Sequence, residues 1–118
     1  EMDVLGGMAC MVHTQTPCYT IGVNGMRFHE PLFEGQKYIV DSFVSGVGNK
    51  SLETYCTIHR VNLKLEKEAL IADGFFSFYP LLEEGQSIPK AIAKNEFEQS
   101  IMDGYALRRS NLPPKAKD

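Results

Sequence analysis

An apolar segment begins the chain, and residues 2–12 read Met2-Asp3-Val4-Leu5-Gly6-Gly7-Met8-Ala9-Cys10-Met11-Val12. Small or apolar side chains would lie around most of a helix built from this segment, and such a helix is a buried one. The two adjacent glycines each cost about 1 kcal/mol of helix propensity relative to alanine. Their presence therefore indicates close approach of another backbone or of a ligand. We expect a buried helix over residues 2–13.

Asp3 is the acidic residue within this apolar segment. A carboxylate that loses its hydration must find hydrogen-bond donors or take a raised pKa. Both conditions are common at catalytic sites. Aspartate is also favoured at the N-cap of a helix. The local pattern therefore leaves two roles open for Asp3, a helix cap and a catalytic group.

Strand patterns follow the apolar segment in quick succession. β-branched and aromatic residues alternate with polar ones over residues 18–28, 37–45, 51–61 and 69–79, with glycine-containing or charged turns between them. Long strands joined by short turns predict an antiparallel sheet. The period then changes, since Phe97, Ile101 and Tyr105 recur at four-residue steps and predict an amphipathic helix over residues 90–109. The expected fold class is α+β.

Composition limits the classes of partner. The 118 residues suit one domain, and the net charge of -3 lacks the basic excess of a nucleic-acid-binding surface. No apolar stretch approaches the roughly 18 residues that cross a bilayer, so we expect no membrane partner. The three cysteines are widely spaced, which favours free thiols in a reducing cytoplasm over a disulfide framework or a zinc site. We therefore expect a cytoplasmic protein.

The domain boundary is expected near the C-terminus. Residues 1–110 are interpreted as a single domain, and the proline- and lysine-rich residues 111–118 as a disordered tail. A sheet wrapped around one helix leaves its edge strands and its other face without a partner. We therefore expect a homodimer, with a trimer or a dimer of dimers as larger alternatives.

Taken in order, four segments resemble the hotdog-fold acyl-CoA thioesterases of the cytosolic acyl-CoA hydrolase type. The first, Met2 to Ala9, resembles the family's central helix with its catalytic aspartate. The others are the strand Tyr19 to Pro31 with its Phe-x-x-Pro ending, the turn Val47-Gly48-Asn49-Lys50-Ser51-Leu52-Glu53, and the final strand Ala72 to Tyr79 with paired phenylalanines. Each motif is weak alone, but their order and spacing together are specific to this family.

The resemblance implies a hotdog fold, in which an antiparallel sheet wraps a long central helix, here followed by a C-terminal amphipathic helix. It implies an acyl-CoA thioesterase in which Asp3 acts as general base or as nucleophile. Gly6 and Gly7 would leave room for the acyl chain. The residues implied to contact coenzyme A are Gly48, Asn49, Lys50 and Ser51. A plain hairpin turn is the alternative for these four, because Gly-Asn is typical of turns.

One part of the family pattern is missing from this sequence. Family members carry an N-terminal strand and a glycine-containing turn whose backbone amides polarise the thioester carbonyl. We expect these elements to lie upstream of Glu1, so that residues 1–110 hold an incomplete N-terminus. In the family the two halves of the site come from different subunits, which makes self-association part of the expected activity. We expect no metal and no cofactor, because coenzyme A enters as part of the substrate and leaves as product.

Two other functions remain open at this point. Some hotdog domains bind and sense acyl-CoA without hydrolysing it, so a non-catalytic acyl-CoA-binding domain is the main alternative. A hydratase or dehydratase acting on acyl thioesters is the other. That chemistry needs an Asp/His pair, and the histidine that follows Asp3 is His13, ten positions further along the chain.

Overall fold

The computed structural model describes residues 18–111. The predicted helix over residues 2–13, with Asp3, Gly6 and Gly7, lies outside this range, as do residues 112–118 of the predicted tail. The described elements are β1 (Cys18–Phe28), β2 (Lys37–Val47), β3 (Leu52–Val61), β4 (Lys67–Pro80), α1 (Glu96–Asp103) and α2 (Tyr105–Ser110). None of the described helices is long and apolar enough to cross a membrane.

The four strands form one antiparallel sheet in the order β1-β4-β3-β2. The alternation of the sequence predicted each strand, and the strand ends agree to within two residues. Consecutive strands β2, β3 and β4 are neighbours, whereas β1 pairs with β4 at the far edge. This order places the beginning of β1, the end of β4 and the β2–β3 turn at the same end of the sheet, since Cys18 lies opposite Pro80 and Leu52 lies opposite Phe78.

The hydrophobic core lies on one face of the sheet. Because side chains alternate between the two faces of a strand, residues two apart share a face. The core consists of Val44, Leu52, Cys56, Phe76, Phe78 and Ile88. Ile88 comes from the chain that follows β4, so this segment turns back over the face. Cys56 is a buried thiol, as expected, and donates a hydrogen bond to the Ser42 hydroxyl at 3.2 Å. Cys18 is disulfide-bonded, so the expectation of free thiols is wrong there.

The two helices pack on the opposite face. On that face the Phe97 ring lies 6.4 Å from the Phe43 ring and 6.2 Å from the Tyr55 ring, measured between centroids. The guanidinium carbon of Arg108 lies 4.2 Å from the centroid of the Phe75 ring. The sheet is therefore covered on both faces by chain that follows β4.

The predicted single helix over residues 90–109 is wrong at its start and at its middle. The helix begins only at Glu96, because the Asn95 side chain accepts a 2.8 Å hydrogen bond from the Glu98 amide and caps the first turn. It ends at Asp103, and Gly104 separates α1 from α2. The amide of Gly104 donates to the Ile101 carbonyl at 3.2 Å, which tightens the last turn and ends α1.

Candidate functional site

The turn between β2 and β3 carries the four residues implied to contact coenzyme A. The Gly48 amide donates a 2.8 Å hydrogen bond to the Ser51 carbonyl and closes the turn. Asn49 and Lys50 project into solvent, whereas Ser51 is 5% exposed. The structure therefore brings the four residues together as a tight hairpin turn, and Asn49 and Lys50 are the two that present their side chains.

A cavity of ≈ 620 Å³ opens beside this turn. Its lining combines the two exposed turn residues with the end of β4 and the loop that follows, namely Asn49, Lys50, Tyr79, Pro80, Leu81, Leu82 and Gln86. A volume of this size suits a small-molecule ligand. An ammonium group and two side-chain amides can bind phosphate and amide groups, and the leucines offer an apolar surface. The wall is therefore chemically suited to an amphipathic anion.

The cavity lies at the end of the sheet where β1 begins. Cys18, the first residue of β1, is paired with Pro80 of the cavity wall. In the sequence, β1 directly follows the segment that carries Asp3, Gly6 and Gly7, whose positions lie outside the described residues. Among the predicted site residues, the structure thus places only the four turn residues, and it places them together.

Glu53 is a buried carboxylate at the base of the turn, with 4% of its side chain exposed. Arg108 donates to it from Nη2 at 2.7 Å and from Nε at 3.0 Å, and the Ser45 hydroxyl donates at 2.7 Å. Paired hydrogen bonds from one guanidinium fix both distance and orientation. The sequence analysis did not identify this contact, because its partners are 55 positions apart.

Asp73 is a second buried carboxylate, in the middle of β4 and 1% exposed. It accepts hydrogen bonds from Arg27 Nη2 at 2.7 Å and from the Tyr55 hydroxyl at 2.6 Å, and His29 Nε2 lies 3.2 Å away. Burial alone raises the pKa of Asp73, but the hydrogen bonds from Arg27, Tyr55 and His29 outweigh it, so the pKa lies below its ordinary value. Burial, followed by the hydrogen bond to Asp73, raises the pKa of Tyr55.

These contacts decide what the two buried carboxylates can do chemically. Glu53 and Asp73 are each held by a guanidinium and a hydroxyl. A carboxylate that is occupied in this way, and that solvent does not reach, cannot activate a water molecule. Neither is therefore available as a base, and both serve to hold strands and helices in place. The sequence feature that could have identified Asp73 as a buried carboxylate is its position within a predicted strand, between the small residues Ala72 and Gly74.

A second cavity of ≈ 550 Å³ lies between α1 and the sheet. Its charged and polar lining includes Asp41, His59, Lys67, Lys94 and Glu98, and Lys67 Nζ lies 2.8 Å from Asp41 Oδ2. Within residues 18–111 the buried Nδ1 of His59 has no hydrogen-bond partner. Burial, and then the charge of Lys67, lower the pKa of His59. The described residues form no group of three or more side chains that could hold a metal ion.

Comparison with known proteins gives a family and several relatives. The family model of the thioesterase superfamily matches residues 2–67. An uncharacterized acyl-CoA thioester hydrolase of Bacillus subtilis is 23% identical over 111 residues, which are 93% of this chain and 64% of that protein. The cytosolic acyl coenzyme A thioester hydrolase of Homo sapiens is 27% identical over 90 residues, which are 75% of this chain and 24% of that protein. The chain thus spans less than two thirds of either relative.

Solved structures establish the fold. An apo-hexameric acyl-CoA thioesterase superimposes with a TM-score of 0.82 at 22% identity, over 92% of this chain and 71% of that one. The acyl-CoA hydrolase of Staphylococcus aureus, in complex with butyryl coenzyme A, coenzyme A and coenzyme A disulfide, also gives 0.82 at 22% identity, over 90% of this chain and 66% of that one. These likenesses confirm the predicted α+β hotdog fold.

Proposed function

Because the chain belongs to the thioesterase superfamily, we propose that it hydrolyses the thioester of acyl-CoA to a free acid and coenzyme A. The observation that carries the proposal is the extent of the family match, since residues 2–67 include both Asp3 and the Gly48–Ser51 turn. Both curated relatives are named acyl-CoA thioester hydrolases. The cavity beside the turn, with its cation, amides and leucines, supports an amphipathic anion as substrate.

Asp3 is the proposed catalytic group. Hydrolysis needs an oxygen nucleophile at the carbonyl carbon and hydrogen-bond donors for the oxyanion that develops. Asp3 either removes a proton from the attacking water or attacks the carbonyl carbon itself. The carbon–sulfur bond then breaks, and the coenzyme A thiolate leaves and takes up a proton. On the route of direct attack, a water molecule then hydrolyses the anhydride formed between the acyl group and Asp3, which releases the free acid and restores the carboxylate. Backbone amides at a helix N-terminus supply the oxyanion donors.

We add Thr20 to the proposed site because its separation from Asp3 equals the separation of two mutated residues in the Staphylococcus aureus hydrolase. Variants of that enzyme were solved with alanine in place of a threonine and of an aspartate, and the two positions are 17 apart. Asp3 and Thr20 are also 17 apart. Thr20 lies in β1, three residues into the strand that begins at the cavity end of the sheet. Sequence analysis alone missed this residue.

The proposed substrate contacts divide between the two matched segments. Gly48, Asn49, Lys50 and Ser51 bind the coenzyme A part, with Lys50 as the cation nearest the phosphates. Gly6 and Gly7 leave room for the acyl chain. Coenzyme A is then part of substrate and product, and the reaction uses no separate cofactor. The complex of the Staphylococcus aureus hydrolase with coenzyme A supports this class of ligand.

The proposed assembly is a homo-oligomer in the cytoplasm. A structural relative is described as hexameric, so a hexamer is the first form to test, before the dimer, trimer or dimer of dimers that the sequence suggested. The human relative is described as cytosolic, which supports the proposed location. Size-exclusion chromatography with light scattering on the full-length protein distinguishes these assemblies.

Thiol release from a panel of acyl-CoA substrates, short to long, tests the proposed activity on the full-length protein. Asp3→Asn keeps the shape of the side chain and removes the base, so we expect a loss of roughly a hundredfold or more in kcat. Asp103→Asn, at an exposed position on α1, is the matched control and should keep the parent rate. Acyl-CoA binding without turnover in the parent would instead establish the non-catalytic, acyl-CoA-sensing alternative.

A further inference from the structure

Two contacts attach α2 to the base of the β2–β3 hairpin. The first is the Arg108–Glu53 pair, in which Nη2 and Nε of the guanidinium donate to the buried carboxylate at 2.7 and 3.0 Å. Nη2 also donates to the Ile101 carbonyl of α1 at 2.8 Å. One guanidinium therefore joins β3 to both helices, while its plane lies over the Phe75 ring at 4.2 Å.

The second contact is the Tyr105 ring on Gly46. A Cβ atom built at Gly46 would lie 2.0 Å from a ring carbon of Tyr105, so a side chain at this position would displace the helix. Gly46 lies beside an irregularity in the strand register, between Val44 and Gly46. The residue at this irregularity, Ser45, is buried and donates its hydroxyl to Glu53. The two contacts thus meet at one point of the hairpin.

The residues that make these two contacts on the hairpin lie directly before and directly after the turn proposed to bind coenzyme A. Gly46 lies two positions before Gly48, and Glu53 lies two positions after Ser51. Gly46 and Glu53 are also cross-strand partners. The last cross-strand pair before the turn, Val47 with Leu52, follows immediately. Any rotation of the hairpin base therefore also moves the turn.

We propose that Arg108 and Tyr105 are positioning residues that hold the Gly48–Ser51 turn in the orientation that binds the nucleotide part of acyl-CoA. The inference rests on the proposed function, because it concerns the same binding site. Neither side chain touches the substrate, and both act through Glu53 and Gly46. The C-terminal helices are then part of the specificity machinery for the coenzyme A head group rather than a cover for the sheet alone.

The test compares two thioesters of the same acyl group on the full-length protein. One is the acyl-CoA, and the other is the acyl thioester of N-acetylcysteamine, which lacks the nucleotide and its phosphates. Arg108→Met should raise the KM for acyl-CoA roughly tenfold, because the turn is misplaced. It should leave kcat/KM for the short thioester within twofold of the parent. Arg108→Lys, which keeps the charge beside Glu53, should recover part of the loss.

Two further variants separate positioning from general destabilisation. Tyr105→Ala releases the same hairpin base and keeps both partners of the Arg108–Glu53 pair, so it should raise the same KM even if Arg108→Met folds poorly. Arg60→Met is the matched control, because Arg60 pairs with the partly exposed Glu30 at 2.8 Å towards the other end of β3. It removes an ion pair of similar length and should leave both substrates unaffected.

Isothermal titration with coenzyme A distinguishes failure of this inference from failure of the proposed function. A parent that binds coenzyme A without hydrolysis contradicts the proposed function only, and weaker binding in Arg108→Met and Tyr105→Ala would still support the inference. Equal losses on both thioesters, unchanged KM and affinity in well-folded variants, or no coenzyme A binding by the parent would each overturn the inference.

Discussion

The hydroxyl of Tyr55 donates a 2.6 Å hydrogen bond to the buried carboxylate of Asp73, which joins β3 to β4 in the interior of the sheet. Arg27 of β1 reaches the same carboxylate with Nη2 at 2.7 Å and Nε at 3.2 Å. The carboxylate of Asp73 therefore joins the three strands β1, β3 and β4. Because that charge is 1% exposed, its energy depends on keeping all its donors.

Replacing Asp73 by asparagine should destabilise the protein in a pH-dependent way. The pKa of Asp73 lies below its ordinary value of 3.8, since its hydrogen bonds outweigh the effect of burial. The stabilisation is thus fully present above pH 3.8 and is lost as the pH falls through the lower, folded-state value. We expect Asp73→Asn to lose about 2 kcal/mol of unfolding free energy at pH 7. The difference from the parent should close on acidification, as measured by urea denaturation.

Asp41→Asn provides the control for this experiment. Asp41 pairs with Lys67 at 2.8 Å, but both side chains are 51% exposed. Exposed pairs contribute about 0–1 kcal/mol, so the difference between this variant and the parent should stay small over the acidic range in which the Asp73→Asn difference closes. A constant difference between Asp73→Asn and the parent down to pH 2 would show that the carboxylate gains nothing from its ionised form.

His59 should cause a loss of stability on acidification that begins at a higher pH than the loss at Asp73. Burial, and then the charge of Lys67, lower its pKa below the ordinary 6.5. The unfolded chain therefore takes up a proton at His59 before the folded chain does, and stability falls as the pH drops below 6.5. His59→Gln should remove this slope, as measured by thermal and urea unfolding between pH 7.5 and pH 5 (chosen to bracket the ordinary value).

Lys67→Gln tests the cause of that slope. Removing the cation leaves Asp41, whose charge raises the pKa of His59. The folded-state pKa should then move towards the ordinary value, so the slope should weaken while His59 remains in place. An unchanged slope in His59→Gln would assign the pH dependence to another group.

A methyl group at Gly46 should be tolerated only when the Tyr105 ring is removed. The added Cβ would lie 2.0 Å from the ring, and overpacking of this kind costs typically about 1–3 kcal/mol. Gly46→Ala and Tyr105→Ala should each destabilise the protein, and the double variant should be more stable than the sum predicts. Chemical denaturation of all four forms gives the coupling energy. If the changes in unfolding free energy were additive, the Tyr105 ring would not be in contact with Gly46.

The strands could be predicted from the sequence because their signals are local. Alternation between apolar and polar side chains depends only on the pleat of each strand, and the turns are marked by residues such as Gly35, whose φ of 83° favours glycine. Gly48 and Asn49 marked the Gly48–Ser51 turn in the sequence, because Gly-Asn is typical of turns. Strand ends within two residues of the structure follow from these signals alone.

The helix break and the buried charges could not be predicted in this way. Phe97, Ile101 and Tyr105 keep a helical period across Gly104, so the local pattern continues where the structure has two helices. Beyond the break, Arg108 contacts Glu53, and these two positions are 55 apart in the sequence. The pair of Arg27 and Asp73 spans 46 positions. Neither pairing has a local signal, because it exists only once the sheet order has brought the strands together.

Lys50 should contribute to substrate affinity and not to the chemical step. Its side chain lines the cavity beside the turn and is exposed, so its charge should attract the phosphates of acyl-CoA through solvent. We expect Lys50→Gln to raise the KM for acyl-CoA about threefold to tenfold at low salt with kcat unchanged, which is the pattern of lost ground-state binding. The effect should shrink as salt is added, because exposed charges are screened. Lys64→Gln, in the β3–β4 turn at the opposite end of the sheet, is the matched control. A loss of kcat in Lys50→Gln, or an equal KM effect in both variants, would contradict a specific role for this turn.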